Sequence, residues 1–535
     1  MKWPFLQAIT GASRAQLHGG LRLPRDKPGL PLAGDIRTLA LPPRLILPLL
    51  DYRRDALPPL VQVGQEVEVG QHLAAGVIAT ASGRILSIEP RPVIHPSGKL
   101  APCVILEPDE HQDNDAACYE ALPAITADRL DQCGVTGLGG AAFATADKLT
   151  AVARSGSPLQ TLLINAVECE PQIACDEALM MCDASAIIKA IDVLKRTTQC
   201  RRCVLAVEND KTAAISAIHQ ALQAHPVELE LMLLEPVYPA GAERSLIRRI
   251  TGRSLAPDQR PASLGILSIN VATALAAYRA SQGFPLHSRI VTVSGEGLPE
   301  PVNVRVRFGT PVEDVLRQCH YSASAGSHRV RANGPLSGFD LHSLQAPITA
   351  STNNLGIHRI EPAPTSLPCI RCGACEDVCP EQLLPQQLYW YAQADDLSGS
   401  RRFGLDSCIT CGCCDLVCPS AIPLTQAFRH ARDAQREQAR QERMAALSQQ
   451  RHQAREQRLQ ERAAAREERR RLAKAQSSSG SDPIADALAR ARQRRKPRLS
   501  QAGRTSAPAA DESNRDSPPA SATEASVKRP DDGRP

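Results

Sequence analysis

Between residues 61 and 88 apolar residues alternate with polar ones and turn glycines. Val61, Val67 and Val69 are spaced by Gly64 and Gly70, and Ile85 and Ile88 follow Gly83. A period of two with glycine punctuation predicts short strands across residues 36–107. From residue 126 the pattern changes. Unbroken apolar runs at Thr161–Asn165 and Cys203–Val207 predict buried strands, and helical periodicity predicts helices over Ala174–Lys195 and Lys211–His225. Strands alternating with helices are the signature of a parallel sheet. Residues 288–345 return to strands at Arg289–Val293 and Val302–Val306, with a short helix opening after Gly309. Helix-like stretches recur at Glu381–Asp395 and Ser420–Gln435. Residues 430–475, rich in Gln, Arg, Glu and Ala, carry no regular apolar stripe and predict a solvated single helix rather than a coiled coil. Residues 476–535, rich in Ser, Pro and Asp, predict unfolded chain.

Composition narrows the function classes. At 535 residues the chain has room for about three or four domains. The net charge of +5 is small, and Arg429–Ala475 alone carries +7, leaving the remainder slightly acidic. Nucleic acid is therefore not an expected partner. The basic segment could hold anionic lipid or a partner, or act as a solvated linker. No run of 18 apolar residues occurs, and Leu39–Leu50 is interrupted by Pro42, Pro43, Arg44 and Pro48. The first residues lack the apolar core of a signal peptide, so the chain is expected in the cytosol.

Nine of the 18 cysteines fall within Cys369–Cys418. In a reducing compartment such a cluster means metal. Cys369, Cys372, Cys375 and Cys379 are spaced x2, x2, x3 and followed by Pro380. Cys408, Cys411, Cys414 and Cys418 repeat that spacing before Pro419. This tandem repeat is the run of two-cluster ferredoxins and does not fit the paired spacing of zinc sites. Three cysteines on one tight loop wrap one face of a cubane, small Gly373 and Gly412 allow close approach, and the fourth cysteine reaches the other cluster. The expected ligand sets for two [4Fe–4S] clusters are crossed: Cys369, Cys372, Cys375 and Cys418 for one, Cys408, Cys411, Cys414 and Cys379 for the other. Cys413 is expected to be a packed neighbour. Cys200 and Cys203 have no partner pair at zinc spacing and are expected to be unliganded.

Clusters carry single electrons, so something must feed them. Gly137, Gly139 and Gly140 form a loop entering a helix with Lys148 one turn in, a pattern that suits phosphate. Asn165, Glu168 and Glu170 leave a predicted buried strand at its C-terminal end, where ligands sit in open α/β sheets.

Here the sequence resembles the flavin-binding, NADH-oxidising subunit of respiratory complex I. That family's G-x-G-G-A-G-F-P-T-x-x-K loop is matched at Gly137, Gly139, Gly140, Phe143, Thr145 and Lys148, with Ala142 replacing Gly and Ala144 replacing Pro. Its N-A-D-E-G-E-P stretch is matched at Asn165, Glu168, Glu170 and Pro171, with Val167 and Cys169 as departures. Its later loop resembles Val237, Tyr238, Gly241 and Glu243, and its N-V-E-T turn resembles Asn270, Val271 and Thr273. The whole layout is closer still to the RnfC family of the Rnf/Rsx electron-transport complex. That family's H-G-G, E-P-R-P-V-x-H-P-S-G and L-L-I-N-x-x-E-C-E-P signatures are similar to His18–Gly20, Glu89–Gly98 and Leu162–Pro171.

The resemblance implies a multidomain α/β plus β architecture. Residues 1–35 form an N-terminal arm, and 36–115 a hammerhead barrel-sandwich of the biotinyl/lipoyl type that lacks the carrier lysine. Residues 126–285 form a Rossmann-like FMN/NADH domain and 286–348 a β-grasp soluble-ligand-binding module. Residues 360–430 form a helical two-cluster ferredoxin domain, followed by a charged helix over 431–475 and a disordered tail over 476–535.

It also implies non-covalent FMN on Gly137, Gly139, Gly140 and Lys148, with Asn165 and Asn270 as hydrogen-bond partners. NAD(H) is implied near Phe143, with Glu170 and Glu243 lining the pocket; Glu168 and Gly241 complete the cofactor set. The implied activity is that of a translocase subunit, peripheral on the cytoplasmic face of the bacterial inner membrane. It would relay electrons between NAD(H) and a ferredoxin-type carrier alongside other subunits. Ala142 and Ala144 weaken the flavin site in this reading. A soluble diaphorase subunit and a non-catalytic relay that has lost flavin remain as alternatives.

Overall fold

The computed structural model describes residues 18–493 except 24–35, 52, 54, 110–114, 155–157, 257–258, 323–327, 363 and 479–481. The chain divides into two units, Met1–Arg440 and Gln441–Pro535.

In the first unit an antiparallel sheet runs in the order Leu45–Pro48, Leu100–Pro108, Gly83–Pro92 and Glu66–Val67, with a hairpin of His72–Ala74 and Val77–Ile78 beside it. Leu45, Leu73, Ile85 and Leu106 form its core. Strand Ile36–Thr38, expected to open this domain, instead pairs in parallel with Val302–Arg307. Pro42 and Pro43 explain the separation: proline cannot donate to a ladder, so the chain leaves one sheet before it enters the next. Leu39 accordingly packs with the second sheet and Leu41 with the first.

The α/β region holds a parallel sheet in the order Glu230–Leu234, Arg202–Glu208, Thr161–Ala166 and Ile266–Asn270. After Thr161–Ala166 the chain builds outward in one direction, then returns to place Ile266–Asn270 on the other side. The boundary between these two strands is a topological switch point, where a crevice opens beyond the carboxyl ends. Asn165 and Asn270 lie opposite one another there. The helix expected over Ala174–Lys195 is two helices, Cys175–Cys182 and Ala184–Thr198, meeting at the non-helical Asp183. A buried stripe continues through both, which is why periodicity alone joins them.

A mixed six-stranded sheet runs Ile36–Thr38, Val302–Arg307, Ser288–Gly295, Asn354–Arg359, His328–Ala332 and Phe339–Asp340, with helix Val312–Gln318 packed on its core. Asn354–Arg359 is central in it and lies beyond the boundary drawn at residue 348; the module extends at least to Arg359. Helices Ala374–Asp377, Pro385–Gln393, Leu397–Arg402 and Cys413–Leu416 surround a small core of Leu388, Leu405 and Phe428. Phe428 belongs to helix Leu424–Ser478, which is exposed all round from Gln441 to Ala475.

In the second unit, Pro483–Gln493 is helical, correcting the expectation of unfolded chain there. Pro483 opens it and an alanine-rich run with Leu488 sustains it. Residues 494–535 of the expected tail lie outside the described residues. Among the described residues no helix is long and apolar enough to cross a membrane.

Candidate redox site

The two cysteine motifs adopt matching conformations. Arg371 and Thr410 have φ of 57° and 50°, and Gly373 and Gly412 follow at 83° and 80°, opening the short helices Ala374–Asp377 and Cys413–Leu416. Gly412 is also required by contact, since a Cβ there would lie 2.6 Å from the Leu336 carbonyl oxygen. The motifs enclose two small cavities. One is lined by Cys379, Cys408, Cys411 and Cys414, with Cys413 beside them. The other is lined by Cys369, Cys372, Cys375 and Cys418. Each cavity thus takes three cysteines from one motif and the fourth from the other. None of these cysteines is in a disulfide.

Backbone N–H groups of Leu383 and Thr410 donate to Cys379 Sγ at 3.3 Å and Cys408 Sγ at 3.4 Å. Burial pushes the Cys408 thiol up to about 11 and raises Cys375, Cys379 and Cys414 as well. Such grouped, desolvated sulfurs are poor as thiolates alone and good as ligands to a cation. Cys413 is fully buried. Its thiol, beside Cys411, is the main cause of the lowered Cys411 pKa. Four cysteine sulfurs around each cavity are the donor set that a four-iron cubane takes.

At the switch point the structure gathers most of the predicted flavin residues. Asn165 Nδ2 donates to the Gly241 carbonyl at 2.9 Å. Gly241 presses so close that a Cβ would stand 2.4 Å from the Val167 oxygen. Asn270 caps helix Val271–Ser281 through Oδ1, and its Nδ2 donates to Asp176 Oδ2 at 2.6 Å. Gly139 faces Asn270: a Cβ on it would be 3.3 Å from that of Asn270. Lys148 Nζ bonds Glu243 Oε1 at 2.9 Å and the Ser268 carbonyl at 3.0 Å. Phe143 accepts from the Gly137 N–H through its carbonyl, and the Arg260 guanidinium lies over its ring. Gly140 has φ of 96°, and Ala142 has 48°, a left-handed conformation that favours glycine. A lysine ammonium, two primary amides and a glycine loop at a switch point fit a flavin phosphate and ring.

Two predicted residues stand elsewhere. Glu168 is buried and accepts from the Asp176 and Glu177 N–H groups and the Cys175 thiol, fixing the start of helix Cys175–Cys182. Glu170 accepts from the Leu336 and Ser337 N–H groups at 2.7 and 3.0 Å, and burial raises its pKa. It joins the α/β region to the loop that bears on Gly412. Arg429 donates to the Ser337 and Gly338 carbonyls from the other side.

The sequence did not single out the remaining contacts of this seam. Tyr238 Oη donates to the Cys411 carbonyl at 2.5 Å, and Arg248 donates to the Pro380 carbonyl at 2.7 Å. Gly20, in the His18–Gly20 arm, donates to the Val378 carbonyl at 2.9 Å, and Leu21 bridges to Tyr238. The cavity with Cys379 and Cys411 is therefore the one facing the switch-point loops. Asp176, the partner of Asn270, was also missed; its burial and the nearby Glu168 charge push it up to about 7. An acidic residue after a cysteine in a helical run gave no local signal.

Three family models match the chain in tandem: an RnfC barrel sandwich hybrid domain over residues 15–111, a Nuo51 FMN-binding domain over 130–279 and a 4Fe-4S dicluster domain over 368–422. The RnfC protein of an ion-translocating oxidoreductase complex from Edwardsiella ictaluri is 39% identical over 409 residues, covering 74% of this chain and 51% of the relative. Its counterpart from Citrobacter koseri is 35% identical over 495 residues, covering 89% of this chain and 69% of the relative. The chain belongs to the RnfC family of ion-translocating oxidoreductase complexes. It spans about half the length of the Edwardsiella protein and of a third relative, from Pasteurella multocida, at 51% and 48%. Among solved structures, an NAD+-reducing [NiFe]-hydrogenase in the H2-reduced state aligns at a TM-score of 0.42 and 17% identity, covering 58% of this chain and 60% of that one. That score is too low to carry a fold argument. As an RnfC family member the chain combines an FMN-binding domain with a 4Fe-4S domain.

Proposed function

We propose that the chain relays electrons between NAD(H) and a ferredoxin-type carrier as a peripheral subunit of an ion-translocating membrane complex, on the cytoplasmic face. The observation that carries this reading is the pair of crossed cysteine rings with one ring seated against the flavin loops. Bound FMN would accept a hydride and release electrons singly, which is the chemistry that clusters require of their feeder.

The chain's own residues prepare that step. The Gly137–Gly140 backbone and Lys148 would hold the flavin phosphate near the head of helix Thr145–Arg154. Asn165 and Asn270, held by their bonds to Gly241 and Asp176, would orient the ring with the amide hydrogens left over. Phe143, with Arg260 over it, offers a face for nicotinamide near Glu243. Glu170 braces the cluster loop from behind rather than lining the nucleotide pocket. The ring of Cys379, Cys408, Cys411 and Cys414 lies nearer the flavin. The ring of Cys369, Cys372, Cys375 and Cys418 lies nearer solvent, with Cys372 and Ile370 exposed as an exit toward a carrier.

The antiparallel sheet with its added hairpin supports a hammerhead reading of the N-terminal domain. The mixed sheet with helix Val312–Gln318 on one face supports a β-grasp reading of the module after the flavin domain. The test is anaerobic purification with flavin analysis and NADH–ferricyanide assay, beside Lys148→Ala. The reading expects flavin and activity in the parent and loss of both in the variant. Protein without flavin or NADH-dependent activity would instead be a relay scaffold.

A further inference from the structure

A second cavity of about 800 Å3 opens between the far end of helix Val271–Ser281 and the six-stranded sheet. Lys148, Asn165, Gly241 and Glu243 do not line it; its near end touches the flavin region at Leu138, Asp176 and Ala272, and its arginines lie at the far end. Four arginines do: Arg279, Arg289, Arg305 and Arg307. Arg305 and Arg307 stand two apart on strand Val302–Arg307 and therefore share a face. Arg279 comes from the last turn of the opposing helix and Arg289 from the neighbouring strand.

The charges in this wall are poorly balanced. Arg307 donates to Asp115 at 2.7 Å and to the Thr80 carbonyl at 3.0 Å. Arg289 is buried and bonds only carbonyls, those of Ile290 and Ala350. Among the described residues, Arg305 is half-buried and makes no side-chain hydrogen bond; its sole ion pair is with Asp183 at 3.9 Å. Arg279 has neither a hydrogen-bond partner nor an ion pair among them. Besides Asp115, the carboxylate lining the cavity is Asp176, already bonded to Asn270. His287 adds a buried Nδ1 with no partner. Burial first, and then the Arg307 charge, keep its ring neutral. The Arg305 pKa is depressed by burial and by repulsion from Arg279.

A half-buried guanidinium such as Arg305 without a close acceptor is costly to maintain, the exposed Arg279 beside it adds like charge, and a planar fork suits phosphate oxygens. The remaining walls are apolar, with Leu179, Leu275 and Phe284 among them, and the volume suits a small organic molecule. We propose that this cavity binds a phosphate-bearing organic molecule, its phosphate between Arg279 and Arg305 and its apolar body along helix Val271–Ser281.

The test is calorimetric titration of the cluster- and flavin-loaded protein, saturated with NADH, with phenyl phosphate. Inorganic phosphate and phenol serve as fragments. The expected result is saturable binding of one phenyl phosphate, tighter than either fragment, and weakened tenfold or more in Arg279→Gln and in Arg305→Gln. Flavin content should be unchanged in both variants, which separates this site from the flavin cleft. Arg279 is exposed at a helix end, so its variant folds even if that at Arg305 does not. No binding, or binding untouched by Arg279→Gln, would overturn the proposal. Inorganic phosphate binding as tightly as phenyl phosphate would overturn the part given to the apolar body.

Discussion

Replacing Ala142 by glycine should strengthen flavin binding. Ala142 holds φ of 48°, two residues after Gly140 at 96°, so the phosphate loop makes two left-handed steps and only one is on glycine. A left-handed conformation costs an L-residue about 1–2 kcal/mol. Glycine removes that cost but loses about 0.5–1 kcal/mol of extra backbone entropy on ordering. The net gain is about 0.5–1 kcal/mol, which is about two- to fivefold in an equilibrium constant. If the free loop leaves this conformation, the gain appears as flavin affinity. If it does not, the gain appears as thermal stability of the flavin-free protein. Fluorescence titration of stripped protein with FMN, paired with thermal melts, measures both. Ala142→Val should move both the other way, because a branched Cβ tolerates this region less. Unchanged affinity and stability in Ala142→Gly, or a gain in Ala142→Val, would refute the reasoning.

Cysteine pairs test the crossed rings. Cys369→Ser with Cys418→Ser should remove about four irons per chain, whereas Cys369→Ser with Cys379→Ser should remove about eight; uncrossed ligation reverses the two outcomes. Asp176 has a folded pKa of about 7, raised above the ordinary carboxylate value by burial and Glu168. The folded state therefore binds its proton more tightly than the unfolded chain, and stability falls as pH rises from about 4 to about 7. Asp176→Asn should raise the melting temperature at pH 8 and leave it nearly unchanged at pH 4, by differential scanning fluorimetry. Cys413→Ala removes a buried thiol able to donate to Cys411. A hydrogen bond worth about 0.5–1.5 kcal/mol corresponds to about 20–60 mV, so one cluster potential should fall by that amount in an EPR-monitored titration. The other potential should hold.

What the sequence made legible is what local geometry dictates. The x2, x2, x3 spacing constrains a single loop, and the rings around Cys379 and Cys418 follow from that spacing. Asn165 was legible at the apolar-to-polar end of a predicted strand, whereas Asn270 was marked by its likeness to the family's N-V-E-T turn; the structure sets the two opposite one another. What escaped depends on partners far along the chain. Ile36–Thr38 reads as the first strand of its neighbour in sequence, yet it pairs with residues more than 260 positions away. Glu170 reads as a pocket carboxylate, but its oxygen is taken by the Leu336 and Ser337 amides. The His18–Gly20 arm carries no periodicity, and its role emerges only where Gly20 meets Val378. Arg305 and Arg307 alternate along a strand like any solvated face; only the docked end of helix Val271–Ser281 makes them a cavity wall.

The central claim is that one polypeptide seats two four-iron clusters beside a flavin. Iron, acid-labile sulfide and FMN analysis of anaerobically purified protein, with EPR after reduction by NADH, tests it most directly. The account predicts about eight irons, about eight sulfides and about one FMN per chain, with signals from two interacting reduced clusters. Zinc in place of iron without sulfide, or clusters that NADH leaves oxidised in flavin-loaded protein, would contradict it.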